Sequence, residues 1–168
     1  MDVDELQHAL GGVVLESAYL ERVLRAAFSA LIDSKYAAVV DSRLTAAAMI
    51  EDCERITRHH TDIPRVEKER LLAALKACHQ ANSHRNRVIH DAWATRPGDV
   101  MVTLHGSADS RDVTVMVRTP AEVREVADRV ADAAEEVRTA MTAAFGPEWA
   151  LLEDRLRREL GRDVGADE

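Results

Sequence analysis

The chain has 168 residues, 46% of them hydrophobic but only 4% aromatic, and a formal net charge of −8. That length suits one domain with a real core, and the Ala- and Leu-rich, aromatic-poor composition favours packed helices over a sandwich or barrel. The charge argues against a nucleic-acid coat, since non-specific binding rests on phosphate neutralisation.

No run is apolar enough to span a bilayer, and the acidic start Met1-Asp2-Val3-Asp4-Glu5 lacks the positive charge of a signal peptide. We therefore expect a cytoplasmic protein with no membrane partner. The two cysteines, Cys53 and Cys78, are expected as free, buried thiols.

A first helix is expected from Val3 to Ile32. Leu6, Leu10, Val13, Ser17, Leu20, Leu24, Ala27 or Phe28, and Leu31 step in threes and fours, as bundle packing requires. Gly11-Gly12 marks a kink or a close helix contact. Glu16 and Glu21 border the stripe and read as solvated charges, with a partnership to Arg85 as the alternative.

Asp33-Ser34-Lys35 breaks the pattern, and Tyr36–Val40 is too short for periodicity to separate helix from strand. A second helix is expected from Ser42 to His60, with Asp41 or Ser42 as N-cap. Its buried face is Leu44, Ala47 or Ala48, Ile50 or Cys53, and Ile56 or Thr57. Thr61-Asp62-Ile63-Pro64 reads as a turn, with Asp62 capping the third helix and Pro64 in its first turn.

That third helix is expected to run to about Pro97-Gly98. Its seam follows Leu71, Leu75 and Cys78, turns polar at Asn82 and at Arg85 or Asn86, then becomes apolar again at Ile89 and Trp93. An unpartnered buried amide costs roughly 1–3 kcal/mol and a buried charge more, so the polar interruption points to a site. At about 100° per residue, Asn82, Asn86 and His90 form one ridge, with Arg85 across the groove from His90. Between His79 and Arg96 the charges are Arg85, Arg87 and Arg96 against Asp91, a small basic focus on an acidic body. Such a focus suits one phosphate or a short strand.

Beyond Pro97, Val100–Leu104 and Val113–Val117 flank the turn-forming Gly106–Ser110, so a β-hairpin lying against the bundle is expected. Thr119-Pro120-Ala121-Glu122 is a capping signature opening the next long helix. Val123, Val126 or Ala127, Val130, Ala134, Val137, Met141 and Phe145 carry its apolar face. A last helix is expected from Glu148 to Leu160, with Trp149, Leu152 and Leu156 inside and a frayed tail over 161–168.

The run Arg85-Asn86-Arg87-Val88-Ile89-His90 resembles the Arg-x4–6-His motif of the HEPN superfamily (higher eukaryotes and prokaryotes nucleotide-binding), in which a polar residue, often Asn, follows the Arg. The order of a motif helix, a small β excursion and another long helix is similar to that of prokaryotic HEPN-like proteins across most of the chain. The resemblance implies a mainly α, up-and-down HEPN-like bundle over 1–160, with the hairpin inserted between the motif helix and the next long helix. It implies a metal-independent endoribonuclease of a toxin or antiviral-defence kind, forming a homodimer in which two motif helices build one composite site.

By the same resemblance Arg85, Asn86 and His90 are the catalytic residues. His90 would move or orient the proton of the 2′-hydroxyl, Arg85 would hold the scissile phosphate, and Asn86 would shape the pocket. Asn82, Arg87 and Arg96 are expected to bind substrate. RNA or a nucleotide is the expected ligand and an antitoxin-like protein a further partner. The alternative is a non-catalytic dimeric module that binds nucleotide, RNA or protein through the same groove.

No metal and no cofactor is expected. His59-His60 with Cys78, His79 or His84 would be the nearest thing to a zinc site, but adjacent helical His residues point about 100° apart. No Gly-rich phosphate loop or nucleophile elbow is present.

Overall fold

The computed structural model describes residues 3–33, 44–90, 92–96, 100–105, 114–117, 119–146 and 148–149, with the side chains of 92–96, 100–105 and 114–117 left out. In chain order the elements are α1 (Val3–Ile32), α2 (Ala46–His59), α3 (Arg65–His90), β1 (Ala92–Arg96), β2 (Val100–His105), β3 (Thr114–Val117) and α4 (Pro120–Phe145).

Helix α1 spans the expected residues because its buried stripe runs the length of the helix, with Ser17 its one polar member. Leu6, Ala9, Val13, Leu20, Val23, Leu24, Ala27, Phe28 and Leu31 are all buried. At Gly12 an added Cβ would lie 3.8 Å from the Ala127 Cβ, ordinary contact, so this glycine sits where α1 and α4 pass closely without demanding it. Helix α4 opens on the expected capping box. The Thr119 hydroxyl accepts from the Glu122 N–H, the Glu122 carboxylate accepts from the Thr119 N–H at 2.7 Å, and Pro120 begins the helix. The helix ends at Gly146, whose positive φ of 69° favours a residue without a Cβ.

The helix directions depart from the expected up-and-down order. Glu5 pairs with Arg124, and further along Gly12 meets Ala127, so α1 and α4 run the same way. Cys78 bonds the Ala133 carbonyl while His84 lies beside Arg129, so α3 runs against α4. Helix α2 starts beside Val130 of α4, and His60, just beyond its end, stacks edge-on against Phe145 at 5.8 Å. Among the described helices, α1, α2 and α4 therefore point one way and α3 the other.

The bundle core is aliphatic: Met49, Ile50, Cys53, Leu71, Leu75, Cys78, Val130, Ala134, Val137 and Met141 are fully enclosed. Each fully buried large side chain contributes about 1.5–3 kcal/mol through lost apolar exposure. Trp149 is buried as well. The rest of the expected last helix and the 161–168 tail lie outside the described residues, as do Asp41, Ser42 and Tyr36–Val40.

The expected hairpin insertion is corrected. The motif helix stops at His90 instead of reaching Pro97, and the residues after it are drawn into an antiparallel three-stranded sheet of order β1-β2-β3. Trp93 pairs with Thr103 and Val102 with Val117. A helical Ile89/Trp93 seam therefore does not form, because Ala92–Arg96 finds a strand partner that outweighs local helix propensity. A helical bundle is the part of the fold expectation that stands.

Two smaller boundaries also move. The α2 N-cap is Thr45, whose hydroxyl accepts from the Ala48 N–H at 3.3 Å, and not Asp41 or Ser42. The chain enters α3 through the Pro64 carbonyl, which accepts from the Lys68 N–H at 2.9 Å. Asp62 instead accepts from the Thr61 hydroxyl at 3.0 Å.

Candidate functional site

The polar part of the α3 seam meets a polar position on α1. Ser17, the one polar residue in that helix's stripe, is 5% exposed. Its hydroxyl donates to the Val13 carbonyl at 2.6 Å and accepts from Arg85 Nε at 3.1 Å. One turn on, the Glu21 carboxylate stands 3.7 Å from the Arg85 guanidinium. A terminal nitrogen of Arg85 also donates to Asn86 Oδ1 at 2.9 Å. Arg85 is thus oriented from three sides while its side chain keeps 23% exposure. The partnership with Glu21, given less weight than solvated charge from the sequence, is the arrangement found.

A cleft of about 370 Å³ opens at this point, lined by Glu21, Asn82, Arg85, Asn86 and His90, with the start of α2 at Leu44–Ala47. Its shape follows from the helix lengths. Helix α2 begins beside Asn82, and α3 continues for two more turns to His90. The guanidinium and the imidazole consequently face one open groove. His90 is exposed in the last turn of α3. Asn82 is 7% exposed and makes no hydrogen bond to another described residue.

Not every expected residue joins the cleft. Arg87 is exposed and lies off its lining, as its angle of about 140° from Asn82 requires. Arg96 falls on β1, outside the described side chains, and so does Trp93. Val88 is 1% exposed and takes the core position assigned to the Ile89/Trp93 seam, whereas Ile89 is half-buried. His84 leaves the basic focus altogether. It turns toward α4, with Nδ1 3.4 Å from the nearest Arg129 nitrogen.

Ser17 and Thr45 belong to the site and were not singled out for it, whereas Glu21 was weighed only as an alternative partner of Arg85. Ser17 carried a readable signal, because a lone hydroxyl in an apolar stripe needs a partner. Thr45 carried none, since its nearness to Arg85 depends on how the helices cross.

Cys53 and Cys78 are free and buried, and burial pushes both thiols from 9.0 up to about 12, with Asp52 adding to the effect at Cys53 and Glu136 at Cys78. They are neutral core groups, and Cys78 donates to the Ala133 carbonyl at 3.4 Å. Among the described residues no three His, Cys, Asp or Glu side chains are grouped to hold a metal ion, and no helix is long and apolar enough to cross a membrane.

Chemically, the groove offers a cation fixed in place, an exposed imidazole able to take or give a proton, and two carboxamides. No family model, curated protein or solved structure matches the chain.

Proposed function

We propose that the chain is a metal-independent endoribonuclease of the HEPN type, acting in the cytoplasm in a toxin-like or antiviral-defence role. The observation that carries this reading is the convergence of Arg85 and His90, with Asn82 and Asn86, on one open cleft. Cleavage without metal needs a base for the 2′-hydroxyl proton, an acid for the leaving oxygen and a cation against the charge growing on phosphorus. Arg85 serves as that cation through its forked donors. His90 exchanges the proton, and Asn86 steadies the guanidinium from the side.

In the balanced step the 2′-oxygen loses its proton and bonds to phosphorus, and the bond from phosphorus to the 5′-oxygen breaks. The leaving oxygen takes up a proton, and the products are a 2′,3′-cyclic phosphate and a free 5′-hydroxyl. One imidazole per chain covers one proton transfer, so the homodimer that the HEPN resemblance implies supplies the second. An antitoxin-like partner would restrain the activity by covering the groove.

The test is incubation of pure protein with mixed single-stranded RNA in EDTA. Cleavage yielding cyclic-phosphate ends, lost in His90→Ala, is the expected result. Retention of the wild-type rate by His90→Ala would remove His90 from the mechanism.

A second reading has an observation of its own. Arg85 is tied to Ser17, Asn86 and Glu21, as a cation held for binding would be. A non-catalytic dimeric module binding a nucleotide, an RNA end or a protein would show no turnover. Nucleotides would still raise its melting temperature, since ligand binding to the native state stabilises it. Arg85→Ala would abolish that rise.

A further inference from the structure

We propose that the cleft seats a single phosphate group on the N-terminus of α2, held jointly by the backbone N–H groups of Ala46 and Ala47 and by the side chains of Arg85 and Asn82. The inference rests on the cleft assigned above and deepens it by naming the group taken and two backbone donors that no sequence motif marks.

The donors follow from the capping of α2. The first N–H groups of a helix have no partner within it. At α2 the Thr45 hydroxyl accepts from the Ala48 N–H, and the Thr45 carbonyl accepts from the Met49 N–H at 2.9 Å. The N–H groups of Ala46 and Ala47 precede these and receive neither bond. Thr45, Ala46 and Ala47 all line the cleft. A helix N-terminus carries roughly half a positive charge, and α2 has no acidic residue in its first turn to neutralise it.

Asn82 supplies an independent observation. The residue is 7% exposed, its side chain lines the same cleft, and it bonds no described residue. With no partner among the described residues, its NH2 is free to donate to an oxyanion seated in the cleft. Arg85 then provides the charged donor, prepositioned by Ser17 and Asn86. Glu21 opposes an anion here, but at 3.7 Å its hold is the longest of the three contacts on Arg85 and the most readily displaced. One helix end and one cation accommodate one phosphate. A strand end or a single internucleotide linkage fits this description, and a duplex does not.

The test uses inorganic phosphate as the probe and full-length 15N-labelled protein. Titration should shift the amide signals of Ala46 and Ala47 together with the Asn82 side-chain amide. The variant Ala46→Pro removes one donor at a position where proline suits a helix start. Thr45 before it has φ −73° and ψ 161°, the extended conformation that a following proline demands. With an unchanged circular dichroism spectrum, this variant should bind phosphate about tenfold more weakly.

Silent Ala46 and Ala47 amides at about 10 mM phosphate would overturn the proposal, because binding weaker than that is negligible. So would a folded Ala46→Pro that binds as tightly as wild type. If the variant does not fold, the wild-type shifts decide alone. Cleavage of RNA with silent amides would remove this inference and leave the ribonuclease reading, whereas amide shifts without cleavage would do the reverse.

Discussion

The two halves of α3 solve different problems. From Leu71 to Cys78 the helix is dry: Leu71, Ala74, Leu75 and Cys78 are sealed among α2 and α4 aliphatics, and even the thiol is satisfied by a carbonyl. From Asn82 to His90 the same helix carries an amide, a guanidinium, a second amide and an imidazole into a cleft, with Val88 alone keeping a fully buried apolar anchor. The first half is built for stability. The second keeps polar groups at a position where apolar ones would pack better, which is the usual mark of function drawn from a stable scaffold.

That contrast can be broken from the dry side first. Leu75→Ala should lower unfolding free energy by about 2–5 kcal/mol, because the removed methyl groups leave a cavity in an enclosed core. Denaturant melts measure it, and a loss below about 1 kcal/mol would mean the core around Leu75 is loose.

Alkali probes the same half. With folded thiol values near 12 against 9.0 in the free side chain, Cys53 and Cys78 stay protonated in the native state while the unfolded chain ionises. The unfolded state then binds fewer protons, so their contribution, complete below pH 9, is lost as pH rises from 9 towards 12. Melting temperature should fall over that window, and Cys53→Ala/Cys78→Ala should flatten the fall. A thiol reagent at pH 8 should label neither residue until the protein unfolds. Rapid labelling of the native protein would contradict their enclosure.

On the polar side, Asn82→Leu should leave stability unchanged or raise it by up to about 1 kcal/mol, since it loses no bond to a described residue and adds apolar surface at a mostly buried position. The same change should weaken phosphate binding. A loss of more than about 1 kcal/mol would show that the amide supports the fold. The smallest effect belongs to neither half. Glu5→Gln breaks an exposed pair with Arg124 and should cost about 0–1 kcal/mol in a thermal melt, less still at high salt.

How far these features were legible varies with their range along the chain. Helix α1 and the Thr119 capping box were readable because a continuous stripe and a cap with Glu three residues later are local signals. The polar break at Asn82 and Arg85 was readable for the same reason, and the structure brings Arg85, Asn86 and His90 to one groove. The end of α3 was not. Ile89 and Trp93 fit a helical step of four, yet Ala92–Arg96 is held in a strand whose partner lies at Val100–Leu104. The parallel course of α2 was equally hidden, because periodicity fixes which face is buried but not the direction of the helix. Thr45 and Ala46 entered the site only through that packing.

A double-mutant cycle on RNA cleavage in EDTA tests most directly whether Arg85 and His90 act as one unit. Wild type, Arg85→Ala, His90→Ala and the double variant would be timed on one short single-stranded RNA. A shared mechanism predicts that the double variant cleaves about as slowly as the worse single one. Rate losses that multiply, or a wild-type protein that leaves the RNA intact, would contradict it.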